Sequence, residues 1–179
     1  MDLKHTGSGN LGATNTTLVL GRKAGVFVLI FDVLKSFFSA KLAQWLFPQL
    51  KIAGMLACVG AIVGHCFPVT MHFSGGKGLA AFGGMLLAYN PVIYLIALAA
   101  GIAAMVLLDI GVAAPLTGAA LFPVLTYAFG GSPAEIGCAA AASAIIFYTH
   151  LENVRLTRNR GDTKVHQYFR DVLFKRKKK

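Results

Sequence analysis

Six apolar stretches, at residues 24–47, 52–71, 78–89, 92–108, 112–129 and 136–150, take up most of a 179-residue chain and leave it one solvent in which to fold. A helix needs about 20 apolar residues to cross roughly 30 Å of hydrocarbon, and in that medium every backbone polar group must find its partner inside the protein. The pattern predicts an all-α, polytopic transmembrane bundle of about six spans, in a single membrane domain over 1–179, and excludes a water-soluble core. Hydrophobic residues at 56% against charged residues at 13% lie far from the soluble average in the same direction. Alanine and glycine are abundant within the stretches, which suits helices that approach closely where lipid supplies no hydrophobic drive between them.

Lysine and arginine give the bundle its expected direction, because positively charged loops stay cytoplasmic. With the basic tail 151–179 inside, six spans also place residues 1–23, the polar knot 72–77 and the turn 109–111 inside, leaving Lys51 as the one basic residue of an outer loop. The formal charge of +10 comes mostly from the tail, whose closing KRKKK suits anionic membrane lipid. The aromatic residues lie in the spans, so a nucleic-acid partner is not expected. The first twenty residues lack the apolar run of a cleavable signal peptide. Cys58, Cys66 and Cys138 sit in or beside apolar runs, with the spacing of neither a disulfide framework nor a zinc site.

Three polar motifs, distant in sequence, thus meet on one face. In GSGNLGATN, Gly7, Gly9 and Gly12 let the backbone turn its N–H groups toward one point, while Ser8, Asn10, Thr14 and Asn15 supply short hydrogen-bonding side chains just ahead of a helix. In HFSGGKGLAAFGG, Gly75, Gly76 and Gly78 surround Lys77 before a span, so an anion there would meet open helix N–H groups, the positive end of a dipole and an ammonium together. The glycine spacing, and the absence of Ser or Thr after the lysine, separate this knot from a Walker A loop. In HLENVRLTRNRGDTK, His150 and Asn153 share a helix face, with Arg155, Arg158, Arg160 and Lys164 behind them. Each feature has a plainer reading. Glycines before a membrane helix often only make a turn, and His65 in GHCFP fits a packed, hydrogen-bonded histidine. Asp32 and Lys35, three apart on one helix, fit mutual neutralisation, and Lys41 fits snorkelling toward an interface. Taken together, two glycine cradles and a His/Asn face favour one site for an anionic substrate.

The blocks GSGNLGATNTTLVLGRKAGVFVLIFDVLKS, GHCFPVTMHFSGGKGLAAFGG and HLENVRL followed by GDTK resemble, in this order, the three cytoplasmic motifs of the integral-membrane, acyl-phosphate-dependent glycerol-3-phosphate acyltransferases, the bacterial PlsY family. The resemblance runs from about Asp2 to Lys164. It implies transfer of a fatty acyl group from acyl phosphate to the 1-hydroxyl of sn-glycerol 3-phosphate, giving lysophosphatidate and phosphate, in phospholipid biosynthesis. It further implies a multi-pass protein of the bacterial inner membrane with its active site facing the cytoplasm, no cofactor, no metal, and coupling to a soluble enzyme that produces acyl phosphate. On the matching positions, Ser8, Lys77, His150 and Asn153 are implied as catalytic. Gly9, Asn10, Gly12, Thr14, Asn15, His65, Gly75, Gly76, Gly78 and Asp162 are implied to bind the substrates and their phosphates. An acyl phosphate is already activated, so positioning and charge stabilisation suffice without a protein nucleophile. The His-x4-Asp dyad of other glycerolipid acyltransferases is missing.

Some positions depart from the family pattern. The family usually has one more span before the first motif, Leu18 stands where an arginine is usual, and Leu151 and Asp162 replace an arginine and a glutamate of the third motif. These departures keep two alternatives open, an inactive or noncatalytic membrane scaffold and a small-anion transporter. A transporter should show paired broken spans near the midplane and repeated halves, whereas the polar motifs here lie at span ends.

Overall fold

The computed structural model describes residues 2–160, and their regular structure is entirely helical. The α-helices are α1 Ala13–Leu20, α2 Arg22–Leu46, α3 Ala53–Cys66, α4 Leu79–Tyr89, α5 Pro91–Leu108, α6 Ala113–Ala128 and α7 Pro133–Arg160, with 3₁₀ turns at Leu3–His5 and Val69–Met71. Every apolar stretch of the sequence forms a helix. By length and composition Ala53–Met71, Pro91–Leu108 and Pro133–Thr157 suffice to cross a membrane, while Leu79–Tyr89 and Ala113–Ala128 are apolar but shorter. α2 has 25 residues, about 37 Å of rise, and carries Asp32, Lys35 and Lys41 along it.

Helix ends are set by identifiable side chains. Asn90 Oδ1 accepts from the N–H groups of Val92 at 2.8 Å and Ile93 at 3.3 Å, with Pro91 in the first turn of α5. Ser132 and Glu135 form a reciprocal capping box at the start of α7: the Glu135 carboxylate accepts from Ser132 N at 2.7 Å, and Ser132 Oγ accepts from Glu135 N at 3.3 Å. Two helical segments exceed the sequence reading. α1 occupies part of the expected loop 1–23, delimited by Gly12 and by Gly21 at φ +90°. Packing holds it there, since a Cβ on Gly25 of α2 would stand 1.8 Å from Thr17 Oγ1 and 3.0 Å from the Ala13 carbonyl oxygen. α7 continues past His150 and through HLENVRL to Arg160, because neither Gly nor Pro occurs between Gly137 and Gly161.

α4 lies at the centre, with Ala81, Phe82, Gly84, Met85, Leu86 and Ala88 all buried. Its apolar residues join Cys58 and Ile62 of α3, Ile93 and Ala97 of α5, Ala119 and Phe122 of α6, and Ala139, Ala142 and Ile146 of α7 in one core. The Phe82 and Tyr89 rings meet Phe122 edge-to-face at 5.5 Å and 6.0 Å. Glycine lets backbones touch: a Cβ on Gly84 would lie 2.2 Å from the Val33 carbonyl oxygen of α2, and one on Gly101 3.0 Å from that of Ala114. Lys41 Nζ donates to the Ala88 carbonyl at 3.2 Å, joining the far ends of α2 and α4. On the outer side of α2, Phe27, Phe31, Phe38 and Trp45 are exposed, the surface a bilayer covers.

A methyl group at position 84 must separate α2 from α4. Gly84→Ala is expected to destabilise the protein in detergent by about 1–3 kcal/mol, read as a lower melting temperature. Gly60→Ala, where an added Cβ meets nothing within 4 Å, should leave it unchanged.

Candidate active site

The second motif begins where α3 ends. The chain turns through His72 and Phe73, both left-handed at φ +54° and +57°, and returns onto the helix it has just left. Gly75 N donates to the Cys66 carbonyl and Gly76 N to the His65 carbonyl, each at 3.1 Å, so the loop satisfies carbonyls at the C-terminal end of α3. The contact is too close for side chains. A Cβ would stand 2.1 Å from the His65 carbonyl oxygen at Gly75, 2.1 Å from His65 Nε2 at Gly76, and 2.7 Å from Cys66 Sγ at Gly78, which also sits at φ +82°. Gly78 is the N-cap of α4 and offers no side-chain cap, so the first N–H groups of that helix remain directed at the loop.

Lys77 is where this loop meets α7. Its Nζ donates to Asn153 Oδ1, and its carbonyl oxygen accepts from the Thr149 hydroxyl at 2.8 Å. Burial holds the Lys77 pKa below the usual lysine value, and the nearby Glu152 carboxylate opposes that shift. One residue after Thr149, His150 is only 4% exposed. Its Nδ1 lies 2.8 Å from the Ile146 carbonyl, which can only accept, so Nδ1 carries the proton and Nε2 holds the lone pair of the neutral ring.

The first motif is organised from within by Asn15, which is 1% exposed. Its Nδ2 donates to the carbonyls of Leu3 at 3.2 Å and Thr6 at 3.0 Å, while its Oδ1 accepts from Ser8 N at 2.8 Å. Gly7 and Gly9 supply the left-handed turns at φ +67° and +71° that wrap the chain around this amide. Asn10 Oδ1 accepts from Gly12 N at 2.8 Å. Ser8 and Thr14 are exposed on the loop and on the first turn of α1, whose N-cap, Gly12, also lacks a capping side chain. Lys4 Nζ reaches the Met71 carbonyl at 2.9 Å and ties this segment to the second motif.

The structure therefore puts Lys77, Thr149, His150 and Asn153 together, with Gly75, Gly76 and Gly78 beneath them, and links the first motif to that assembly through Lys4. Asn10 and Asn15 spend their side chains inside their own loop. His65 faces two ways, its Nδ1 toward Asp32 and Lys35 of α2 and its Nε2 toward Gly76. Asp162 lies outside the described residues. Thr149 and Lys4 were missed by the sequence reading, although Thr149 stands four residues before Asn153, the spacing of one helix face. Among the described residues no three His, Cys, Asp or Glu side chains form a metal-binding group.

Apolar helices drawn together at small residues, with the polar motifs at one end, define an integral membrane protein. The sequence profile of glycerol-3-phosphate acyltransferase matches residues 1–160, and the chain belongs to that family of acyltransferases. The Bacillus velezensis glycerol-3-phosphate acyltransferase is 34% identical over 92% of this chain and 84% of its own length, and that of Geobacillus kaustophilus 37% over 92% and 83%. The Macrococcus caseolyticus enzyme is 48% identical in a match that spans 53% of this chain and about half, 48%, of the relative. Among solved structures, PlsY, an integral membrane glycerol 3-phosphate acyltransferase, superposes in its glycerol 3-phosphate form with a TM-score of 0.81 at 31% identity, covering 87% of this chain and 78% of that one. In its lysophosphatidic acid form the TM-score is 0.83 at 29% identity, covering 93% and 84%. These relatives give no support to the scaffold and transporter alternatives.

Asn15→Ala removes three hydrogen bonds, each contributing about 1 kcal/mol net. Amide exchange over residues 3–9 is expected to speed up about tenfold or more, measured by deuterium uptake, while uptake in α4 and α5 stays as in the parent protein.

Proposed function

We propose that this chain acylates the 1-hydroxyl of glycerol 3-phosphate from acyl phosphate, at a site facing the cytoplasm in a bacterial inner membrane. The observation that carries the site is the Lys77–Asn153 contact, which joins the second and third motifs into one polar cluster at the open start of α4. The family of the chain supports the acceptor, and the two solved relatives are described in glycerol 3-phosphate and lysophosphatidic acid forms, the acceptor and product of such a reaction.

The hydroxyl oxygen forms a bond to the acyl carbon, the bond from that carbon to the phosphate oxygen breaks, and the hydroxyl proton leaves with the phosphate. The leaving group is good, so the protein needs to place two anions side by side and neutralise the charge that develops. Lys77, the backbone of Gly75, Gly76 and Gly78, and the first N–H groups of α4 hold one phosphate. Ser8, Gly9, Gly12 and Thr14 hold the other at the start of α1, with Asn10 and Asn15 keeping that loop in shape. His150, its tautomer fixed by the Ile146 carbonyl, turns Nε2 to the attacking hydroxyl. Asn153 orients Lys77. The acyl chain lies between helices, and a soluble enzyme that makes acyl phosphate delivers it at the same face.

The test uses purified protein in detergent with both substrates, following phosphate release that requires glycerol 3-phosphate. Ser8→Ala, Lys77→Met and His150→Ala should each lower kcat/KM by about 10²–10³-fold; parent-like rates would remove the assignment. The ammonium form of Lys77 exists below its pKa, so activity falls as pH rises through that value. Glu152 holds the value up. Glu152→Gln should therefore move the alkaline limb of the pH–rate profile to lower pH.

A further inference from the structure

Behind the glycine loop lies a polar cluster that the reaction does not use. Asp32 of α2 is 6% exposed, and a carboxylate buried in an apolar bundle persists only if it is paired and hydrogen-bonded. Lys35 Nζ lies 2.6 Å from Asp32 Oδ1, and the same ammonium lies 2.5 Å from His65 Nδ1 on α3. The same Nδ1 lies 3.3 Å from Asp32 Oδ1, so this edge of the ring faces the ion pair and Nε2 stands at the opposite edge. That edge of the ring is the one pressed against Gly76, where a Cβ would stand 2.1 Å from Nε2. The main chain of His65 holds the same glycine, its carbonyl accepting from Gly76 N at 3.1 Å. Contact thus runs unbroken from Asp32 and Lys35 through His65 to Gly76, and from its neighbour Lys77 to Asn153.

We propose that Asp32, Lys35 and His65 are positioning residues, a brace between α2 and α3 that fixes the glycine loop and so sets where the Lys77 ammonium stands for its anion. Mutual neutralisation of Asp32 and Lys35 requires no third partner, whereas here the shared ammonium fixes the one ring that backs the loop. The inference rests on the reading of Lys77 as a phosphate ligand and takes that phosphate to be the one of glycerol 3-phosphate.

Replacing a buried ion pair by apolar residues of similar volume is often neutral or stabilising for the fold, which separates bracing from mere stability. The double variant Asp32→Leu/Lys35→Met of the full chain in detergent should melt no lower than the parent, yet bind glycerol 3-phosphate about tenfold more weakly by calorimetry. In a Lys77→Met background the same pair of changes should weaken binding by less than about twofold, because the brace acts through that lysine. His65→Asn keeps an acceptor beside Lys35 but withdraws the ring from Gly76, and should reproduce the loss with the α2 pair intact. Parent-like affinity in the double variant or in His65→Asn overturns the brace, as do losses that multiply with Lys77→Met. A Lys77→Met protein that binds glycerol 3-phosphate like the parent instead overturns the phosphate-site reading itself.

Discussion

Hydrocarbon contains no water to receive an unpaired amide, and that scarcity shapes every junction of this molecule. The C-terminal carbonyls of α3 are answered by Gly75 and Gly76, so the second motif is a cap for one helix before it is anything else. The start of α5 is answered by Asn90 and that of α7 by Ser132 and Glu135. α1 and α4 begin at Gly12 and Gly78, in the polar motifs, without a capping side chain, as do α2, α3 and α6 at Gly21, Ile52 and Val112. What sets Gly12 and Gly78 apart is their place in the polar motifs, where open helix N–H groups suit the anion proposed above.

Glycine does two jobs in the same few turns of chain. At Gly84 it lets α4 touch the backbone of α2, which centres α4 and with it the position of Lys77. At Gly75, Gly76 and Gly78 it lets the loop lie flat on α3, which turns the loop's other side toward α7. The turn these glycines form is thus the geometry on which the proposed phosphate cradle is built. A loop made this thin brings a backbone, a lysine and a neighbouring helix within hydrogen-bonding distance of each other.

Much of this was legible in the residues. Apolar length gave the helical architecture, and the glycine–lysine knot and the His150/Asn153 face gave two polar segments that touch through Lys77 and Asn153. What stayed hidden depends on neighbours in space. Asn15 reads as a ligand because it is polar and near glycines, yet it is nearly the most buried polar side chain of its loop. Asp32 and Lys35 read as a pair along one helix, and periodicity within a helix says nothing about His65 on another. α1 escaped notice because its eight residues carry no cap and little amphipathic pattern, and it owes its helix to the groove at Gly25.

The brace also meets α2 well inside that helix's length. Asp32 lies about 15 Å along the helix from Arg22, and α7 continues about 10 Å past Asn153 before its last described turn. The glycine loop touching His65 is therefore held partway along α2 and α7 rather than at their ends, and the 11 residues of α4 start from that level.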